Sequence, residues 1–252
     1  MTEPVADRGA PFSHIGGDRG VLVLHGFTGS PHSMRPIAES LANHGYSVEV
    51  PRLPGHGTTT EDLVPMRWPD WSQAAEASFE ALAARCGAVA LVGLSMGGGL
   101  SCWLAARHPE VVALVVVNPL VQPIAAELRD GATGLLDAGV ETIDGVANDI
   151  ALEGADEYGY SRVPIAAAMS LMDGLEDVTA GLSKITCPTL VFTSRQDHVV
   201  TTDNSELVVG AVAGPVEQVW LERSFHVATL DYDAALIEAE TGRFLDAAFD
   251  GR

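Results

Sequence analysis

A serine flanked by glycines carries the clearest chemistry in this sequence. Ser95 lies in the run GLSMG, residues 93–97, between an apolar stretch and a segment with helical character, residues 96–108. A Gly-x-Ser-x-Gly turn between a strand and a helix is typical of a tight turn that presents its serine as a nucleophile. The pattern therefore predicts a nucleophilic Ser95. The competing interpretation is a plain glycine-rich turn.

A serine nucleophile needs a base, and the base needs a carboxylate to orient it. Asp197 follows a later apolar run, and His226 follows the next one. Since the carboxyl ends of parallel strands meet at one edge of a sheet, these residues and Ser95 are expected to lie together. Their order along the chain is serine, then acid, then histidine, which is one of the orders in which the three residues of a catalytic triad occur.

Three neighbouring residues provide alternatives to this assignment. His198 adjoins Asp197, so it would serve as the base only if the two side chains turned in different directions. Asp203 and Asp231 are alternative acids, although the first is placed to cap a helix and the second follows His226. The pattern favours Asp197 and His226.

Acyl transfer also needs hydrogen-bond donors where negative charge develops on the carbonyl oxygen. The backbone N–H of Met96 directly follows the nucleophile, and the start of a helix adds its positive end there. A second donor is expected in the loop after the first buried strand, where Phe27 lies in HGFTGS, residues 25–30. The sequence therefore predicts an oxyanion hole made by the N–H groups of Phe27 and Met96.

The elements that must position these residues follow an alternating pattern. Continuous apolar runs alternate with helical segments, which predicts an α/β fold with a mostly parallel, doubly wound sheet. Residues 1–19 read as a polar arm with one short strand, within a single domain of residues 1–252. From residue 120 to 182 the alternation breaks into helical patches, which predicts a small helical cap inserted after the strand ending near Asn118.

Composition excludes several classes of function. The net charge of −20 argues against binding to nucleic acid or to an anionic membrane surface. Three widely spaced cysteines indicate reduced thiols, and no His/Cys/Asp cluster has the spacing of a metal site. No apolar run is long enough for a membrane span, and the first residues lack a signal-peptide core. We expect a cytoplasmic protein with no cofactor, no metal and no stable membrane insertion; its oligomeric state is not predicted.

Five motifs together resemble those of bacterial monoacylglycerol lipases and related small carboxylesterases. They are HGFTGS (residues 25–30), PGHG (54–57), GLSMGG (93–98), DHVV (197–200) and SFHVATLD (224–231). The resemblance implies an α/β-hydrolase fold and hydrolysis of an ester through an acyl-enzyme, with monoacylglycerols among the expected substrates. It also implies a Ser95–Asp197–His226 triad and an oxyanion hole at Phe27 and Met96.

The same resemblance points to two residues of the cap that would determine specificity. Ile150, in NDI at residues 148–150, is similar to an isoleucine that lines the glycerol side of the pocket. Ser161 stands where these lipases are expected to have a glutamate that hydrogen-bonds a glycerol hydroxyl. A serine has a shorter reach and no charge, which would weaken the preference for monoacylglycerols. The acyl groove is expected to include Ile143, Ile150, Val163, Ile165 and Met169.

Other functions share the same catalytic residues. A thioesterase, a lactonase or a C–C hydrolase would differ in leaving group and pocket shape rather than in the triad, so the motifs do not separate them. A ligand-binding protein that keeps the machinery without turnover is a further alternative.

Overall fold

The computed structural model describes residues 9–251, which include a seven-stranded sheet in the order β1-β3-β2-β4-β5-β8-β9 and a hairpin formed by β6 and β7. The first eight residues, part of the predicted polar arm, and Arg252 lie outside the described residues. The strands are β1 (Phe12–His14), β2 (Arg19–Leu24), β3 (Ser47–Val50), β4 (Ala88–Leu94), β5 (Leu114–Val117), β6 (Thr142–Asp144), β7 (Arg162–Pro164), β8 (Thr189–Ser194) and β9 (Val216–Leu221).

The large sheet is mostly parallel. Strand β1 pairs antiparallel with β3, and the other neighbouring strands pair parallel. All four residues of β5 and all six of β8 are buried, since helices cover both faces of the sheet. The α/β-hydrolase fold implied by the motifs has such a mostly parallel sheet with helices on both faces.

Eight α-helices surround the sheet within the described range. They are α1 (Arg35–Asn43), α2 (Thr60–Leu63), α3 (Trp68–Ala83), α4 (Met96–Ala105), α5 (Ala126–Asp137), α6 (Ile165–Gly181), α7 (Asp203–Ala211) and α8 (Ala234–Asp250). Helices α3, α4, α6 and α7 bury apolar side chains against one face of the sheet. Helices α1 and α8 pack on the other face, where Ile37, Leu41, Phe244 and Leu245 are buried. The doubly wound α/β prediction is confirmed.

The segment predicted as the cap, residues 120–182, connects β5 to β8. It contains α5, the antiparallel β6–β7 hairpin and α6. The hairpin was not predicted, because strands of three residues are too short to show an alternating pattern. Helix α5 has no buried residue, whereas α6 buries one side against the sheet-side core. We call residues 120–182 the cap segment.

The single lysine of the sequence, Lys184, is exposed in the turn between α6 and β8. This turn precedes the amino end of β8, whereas Ser95 follows the carboxyl end of β4. Strands β4, β5 and β8 are parallel neighbours, so Lys184 and Ser95 lie at opposite edges of the sheet. No helix in residues 9–251 is both long and apolar enough to cross a membrane.

Candidate active site

Ser95 occupies a strained turn between β4 and α4. Its backbone has φ 55° and ψ −120°, a conformation that costs a non-glycine residue about 1–3 kcal/mol. Three backbone bonds hold it: its N–H donates to the carbonyl of Val117 at 3.1 Å, and its carbonyl accepts the N–H groups of Gly99 and Leu120, both at 3.0 Å. A Cβ at Gly93 would overlap the backbone of Gly97, so only glycine fits there. The turn is therefore built to present Ser95.

His226 and Asp197 form a buried pair. Nδ1 of His226 lies 2.7 Å from Oδ2 of Asp197, and the two side chains are 8% and 3% exposed. The other oxygen, Oδ1, accepts the N–H groups of Val199 and Val200, both at 2.8 Å. The carboxylate therefore accepts the Nδ1–H, which leaves Nε2 as the basic nitrogen of the imidazole. Ser95 and His226 line the same cavity.

The alternative acids and base have other partners. Asp231 accepts the backbone N–H groups of Phe225 and Tyr232 at 2.9 and 2.7 Å. His198 pairs through Nδ1 with Asp149 at 2.8 Å. Asp203 begins α7. Among the hydrogen bonds of the described residues, the imidazole of His226 therefore pairs with Asp197.

A buried asparagine connects the sheet to the histidine loop, residues 222–233 between β9 and α8. Asn118, at the end of β5, is 2% exposed and adopts φ 43°, which asparagine tolerates better than most residues. Its Nδ2 donates to the carbonyl of His226 at 2.8 Å and to Oγ of Ser194 at 2.9 Å, while its Oδ1 accepts the N–H of Ser194 at 2.7 Å. The sequence pattern predicted Asn118 only as the end of a strand, and no local signal indicated this contact.

The loop after β2 lies against the nucleophile. A Cβ at Gly26 would be 3.3 Å from Cβ of Ser95, so a larger residue would crowd the serine. Neither the N–H of Phe27 nor that of Met96 donates to an acceptor in the described part of the chain. Two backbone donors are thus available beside Ser95, as an oxyanion hole requires.

Two buried histidines brace this loop. Nδ1–H of His25 donates to the carbonyl of Gly26 at 2.9 Å, and Nε2 accepts the N–H of Leu53 at 3.2 Å. Burial lowers the pKa of His25 to about 4 and that of His56 to about 3, so both are neutral at pH 7. The described residues contain no group of three or more His, Cys, Asp or Glu that could hold a metal ion.

The cavity in front of Ser95 and His226 has a volume of about 320 Å³, within the range of small-molecule sites. The core of the protein supplies one wall, and the cap segment supplies the other. Its apolar lining includes Leu120, Ile124, Val146, Val163, Leu171 and Met172. An apolar acyl chain fits this lining.

Two carboxyl groups of the cap segment also line the cavity, Asp149 and Glu157. Asp149 is held by hydrogen bonds to the loops that carry Asp197 and His226, whereas the Glu157 carboxyl has no hydrogen-bond partner among the described residues. Burial raises the pKa of Glu157 to about 7; the nearby His226 opposes this increase, and Asp156 and Asp149 add to it. The cavity therefore has one available carboxyl beside an apolar lining.

Comparison with known proteins identifies the family to which this chain belongs. The family model described as serine aminopeptidase, S33, matches residues 18–233, most of the chain. The chain belongs to this family of α/β-hydrolases.

Relatives of this family member span nearly its whole length. A thermostable monoacylglycerol lipase of Bacillus sp. (strain H-257) is 39% identical over 237 residues, 93% of each chain. A carboxylesterase of Bacillus subtilis (strain 168) is 29% identical over 245 residues, 94% of this chain and 96% of the relative. A solved structure from work on the metagenome-derived lipolytic enzymes LipS and LipT matches with a TM-score of 0.92 and 36% identity, covering 97% of this chain and 100% of the other. The resemblance inferred from the motifs is confirmed.

The structure places the two cap residues predicted for specificity, Ile150 and Ser161, outside the lining of the cavity. Ser161 is exposed and lies outside the cavity lining, and its carbonyl accepts the N–H of Gly145 at 2.9 Å. The preceding Tyr160 is buried, and its hydroxyl donates to the carbonyl of Gly55 at 3.0 Å. Ser161 therefore lies away from the cavity, whereas the carboxyl of Glu157 lines it. A role for Ser161 in specificity stays a prediction.

Ile150, the other cap residue predicted for specificity, also lies away from the cavity, and its role stays a prediction. It is partly buried and packs against the apolar core of the α1–α8 face, outside the cavity lining. Of the other residues predicted for the acyl groove, Val163 lines the cavity, Ile143 is 42% exposed and Ile165 is 3% exposed in the core. The glutamate in ADEYGY, residues 155–160, was the sequence signal that could have identified Glu157.

Proposed function

We propose that this α/β-hydrolase is a serine ester hydrolase that cleaves monoacylglycerols and similar esters of small polar alcohols. The observation that carries the proposal is the single cavity that joins Ser95, the Asp197-paired His226, an apolar lining and the Glu157 carboxyl. The family description names an aminopeptidase, but the relatives that match over nearly their whole length are named as a lipase and a carboxylesterase.

In the acylation step, Oγ of Ser95 attacks the ester carbonyl carbon while Nε2 of His226 takes the hydroxyl proton. Asp197 keeps the imidazole in the required tautomer and stabilises the imidazolium that forms. The tetrahedral intermediate collapses, the bond from carbon to the alcohol oxygen breaks, and the imidazolium protonates the leaving alkoxide. The products of this step are a free alcohol and an ester of Ser95.

In the deacylation step, water attacks the acyl-enzyme. His226 takes a proton from the water as its oxygen bonds to the acyl carbon, and it returns that proton to Oγ of Ser95 as the serine leaves. In both steps the N–H groups of Phe27 and Met96 donate hydrogen bonds to the carbonyl oxygen when it becomes negative. Each such donor is worth about 2.7–4 kcal/mol in a serine hydrolase, because it acts mainly on the transition state.

In this proposal Glu157 binds the alcohol part of the substrate. A glycerol hydroxyl donates to its carboxyl, while the acyl chain lies along the apolar lining. This hydrogen bond is strongest when Glu157 is ionised, since bonds to charged groups are roughly twice as strong as neutral ones. An ester with a methyl leaving group cannot make this contact. The cavity therefore supports preference for monoacylglycerols over methyl esters.

The test is a substrate panel measured as kcat/KM with purified wild-type protein. It compares 1-monoacylglycerols with methyl, aryl and thio esters of the same acyl chains, and it includes a lactone series. We expect the highest values for monoacylglycerols. Higher values for thioesters or lactones would replace the proposal with those activities. Binding without turnover of any substrate would favour the ligand-binding alternative.

A further inference from the structure

Asp149, in the cap segment, contacts both loops that carry the catalytic acid and base. Its Oδ2 accepts the backbone N–H of His226 at 3.0 Å and that of His198 at 3.2 Å. Its Oδ1 lies 2.8 Å from Nδ1 of His198, the residue after Asp197. Its backbone carbonyl accepts the N–H of Val227 at 3.0 Å. One cap residue thus connects to both catalytic loops.

The carboxylate of Asp149 is buried where it makes these contacts. The residue is 8% exposed and lines the cavity beside His226. A buried carboxylate is costly unless hydrogen bonds satisfy it, and here both oxygens have partners in the catalytic loops. Because these bonds form only in one arrangement of cap and loops, they favour that arrangement.

The backbone of His226 is therefore held from two sides. Asn118 donates to its carbonyl from the sheet, and Asp149 accepts its N–H from the cap segment. The peptide groups before and after the residue are both fixed. Loops are generally more mobile than the elements they connect, so such contacts determine how closely the imidazole keeps its place.

We propose that Asp149 is a positioning residue for hydrolysis, acting through the backbone of His226 to keep the imidazole between Asp197 and Ser95. The cap segment then helps to build the triad in addition to covering the cavity. This inference rests on the proposed function, since the triad is assigned there.

A second carboxylate joins the same two segments, but it belongs to the histidine loop and accepts hydrogen bonds from the cap segment. Asp231, in the histidine loop, accepts the N–H groups of Ala151 and Leu152 in the cap segment at 2.7 and 2.9 Å, and that of Phe225 at 2.9 Å. The cap residues held in this way come directly after Ile150, within three positions of Asp149. The cap segment and the histidine loop therefore each contribute a carboxylate to the other.

The first test compares Asp149→Asn with Asp144→Asn. Asp144 is also a cap aspartate, but its side chain is 91% exposed, so its variant is the matched control. The amide at position 149 keeps an acceptor oxygen but loses the charge and one strong acceptor. We expect kcat for p-nitrophenyl butyrate to fall about ten- to a hundred-fold, as for a small misplacement of a catalytic group. KM should change by less than about twofold, because substrate contacts are retained.

A second readout does not depend on the substrate. The Nδ1–H of an imidazole bonded to a carboxylate gives a proton NMR signal far downfield, and its absence in Asp197→Ala identifies the signal of His226. We expect Asp149→Asn to shift or broaden this signal and Asp144→Asn to leave it unchanged. A residue that only stabilised the fold would lower the melting temperature without changing the signal in the folded protein.

Wild-type kcat and an unchanged signal in Asp149→Asn would overturn the inference. If that variant does not fold, His198→Ala takes its place, since His198 has a side chain 58% exposed and removing it deletes only one contact of Asp149. We then expect kcat to fall a few-fold with the signal shifted, and wild-type values would again overturn the inference. Lack of ester turnover by the wild type would instead overturn the proposed function, and the NMR comparison would still decide the role of Asp149.

Discussion

Nδ2 of Asn118 lies 2.8 Å from the carbonyl oxygen of His226 and donates a hydrogen bond to it. This bond joins the end of a central strand to the loop that carries the proposed catalytic base. The same side chain also contacts Ser194 at the end of β8. The position of the imidazole therefore depends on a buried amide that takes no part in the chemistry.

Replacing this amide tests that dependence. We expect Asn118→Ala to lower the free energy of unfolding by about 1–3 kcal/mol, because buried partners lose their hydrogen bonds. The kcat of the folded protein should fall as well. Asn43→Ala, at an exposed position of α1, is the control and should match the wild type in chemical denaturation and in kcat. Equal stability of the two variants would contradict the prediction.

The nucleophile is tested by Ser95→Ala. We expect ester turnover to fall by roughly five to six orders of magnitude, close to background, as when the serine of a triad is removed. Far-UV circular dichroism should show an unchanged fold, since alanine tolerates the turn about as well as serine. Ser161→Ala is the matched control at an exposed serine and should keep full activity. Substantial turnover by Ser95→Ala would refute the assignment.

The acid is tested by Asp197→Asn. The amide leaves the geometry nearly intact but favours the wrong tautomer of His226, so kcat should fall by about 10⁴. Asp203→Asn removes a carboxylate at the start of α7 and should change kcat by less than about twofold, since Asp203 is not paired with the imidazole. A small effect of the first variant together with a large effect of the second would reverse the assignment.

Glu157 predicts a pH-dependent selectivity. Its pKa is raised to about 7, chiefly by burial, so the fraction with a charged carboxylate increases between pH 6 and pH 8. The ratio of kcat/KM for a monoacylglycerol to that for the methyl ester should therefore rise over this range. Both substrates share the proposed acyl transfer at Ser95, so effects of pH on the shared chemical steps cancel in the ratio.

Glu157→Gln should lower this ratio about tenfold at pH 8, the equivalent of a hydrogen bond to a charged group worth about 1.5 kcal/mol. The ratio should also become independent of pH. Ser161→Ala, at the position first predicted to contact the alcohol, should keep the wild-type ratio and its pH dependence. The opposite result for the two variants would favour Ser161 over Glu157 as the residue that contacts the alcohol.

The environment of His108 makes the free energy of unfolding depend on pH. Its ring lies between Glu76 and Glu110, with nitrogen–oxygen distances of 2.5 and 2.9 Å. Burial lowers its pKa, but the hydrogen bonds and charges of Glu110 and Glu76 outweigh this effect and raise the pKa above its usual value. Protonation of His108 therefore stabilises the fold. This contribution is complete at pH values below about 6.5, the pKa of histidine in an unfolded chain, and it is lost as the pH rises through the higher pKa of the folded protein.

The corresponding variant is His108→Gln. We expect it to lower the melting temperature at pH 5.5 by more than at pH 9, with a difference of less than about 1 kcal/mol in unfolding free energy because the site is partly exposed. His44→Gln is the control, since His44 is half-exposed and 3.8 Å from its nearest carboxylate. Equal losses for His108→Gln at both pH values would contradict the pKa direction.

Apolar runs predicted the order of the strands and helices better than the residues at which each element begins and ends. The run at residues 111–117 predicted β5, but the strand begins at Leu114. The reason is that Val111 and Val112 are buried in the approach to the strand, so apolar character extends beyond the ladder. The β6–β7 hairpin depends on contacts between residues about twenty positions apart, which no local pattern reveals.

The core of the site was easier to predict than its cap. Ser95, Asp197 and His226 each follow a strand of one parallel sheet, so strand order alone brings them to the same edge. Glu157 and Ser161 lie in irregular chain, where facing the cavity depends on the path of the backbone. The buried Tyr160 decides that path, and its hydrogen bond to Gly55 joins residues 105 positions apart.

Lys184 gives the molecule a chemical handle. It is the only side-chain amine of the sequence and lies exposed at the edge of the sheet opposite Ser95. With the α-amino group blocked beforehand, amine-reactive coupling through this side chain would attach the protein to a solid support in one orientation, with Ser95 at the edge of the sheet away from the point of attachment. An immobilised catalyst or a single-molecule tether with uniform access to substrate would follow from native chemistry, without an added tag.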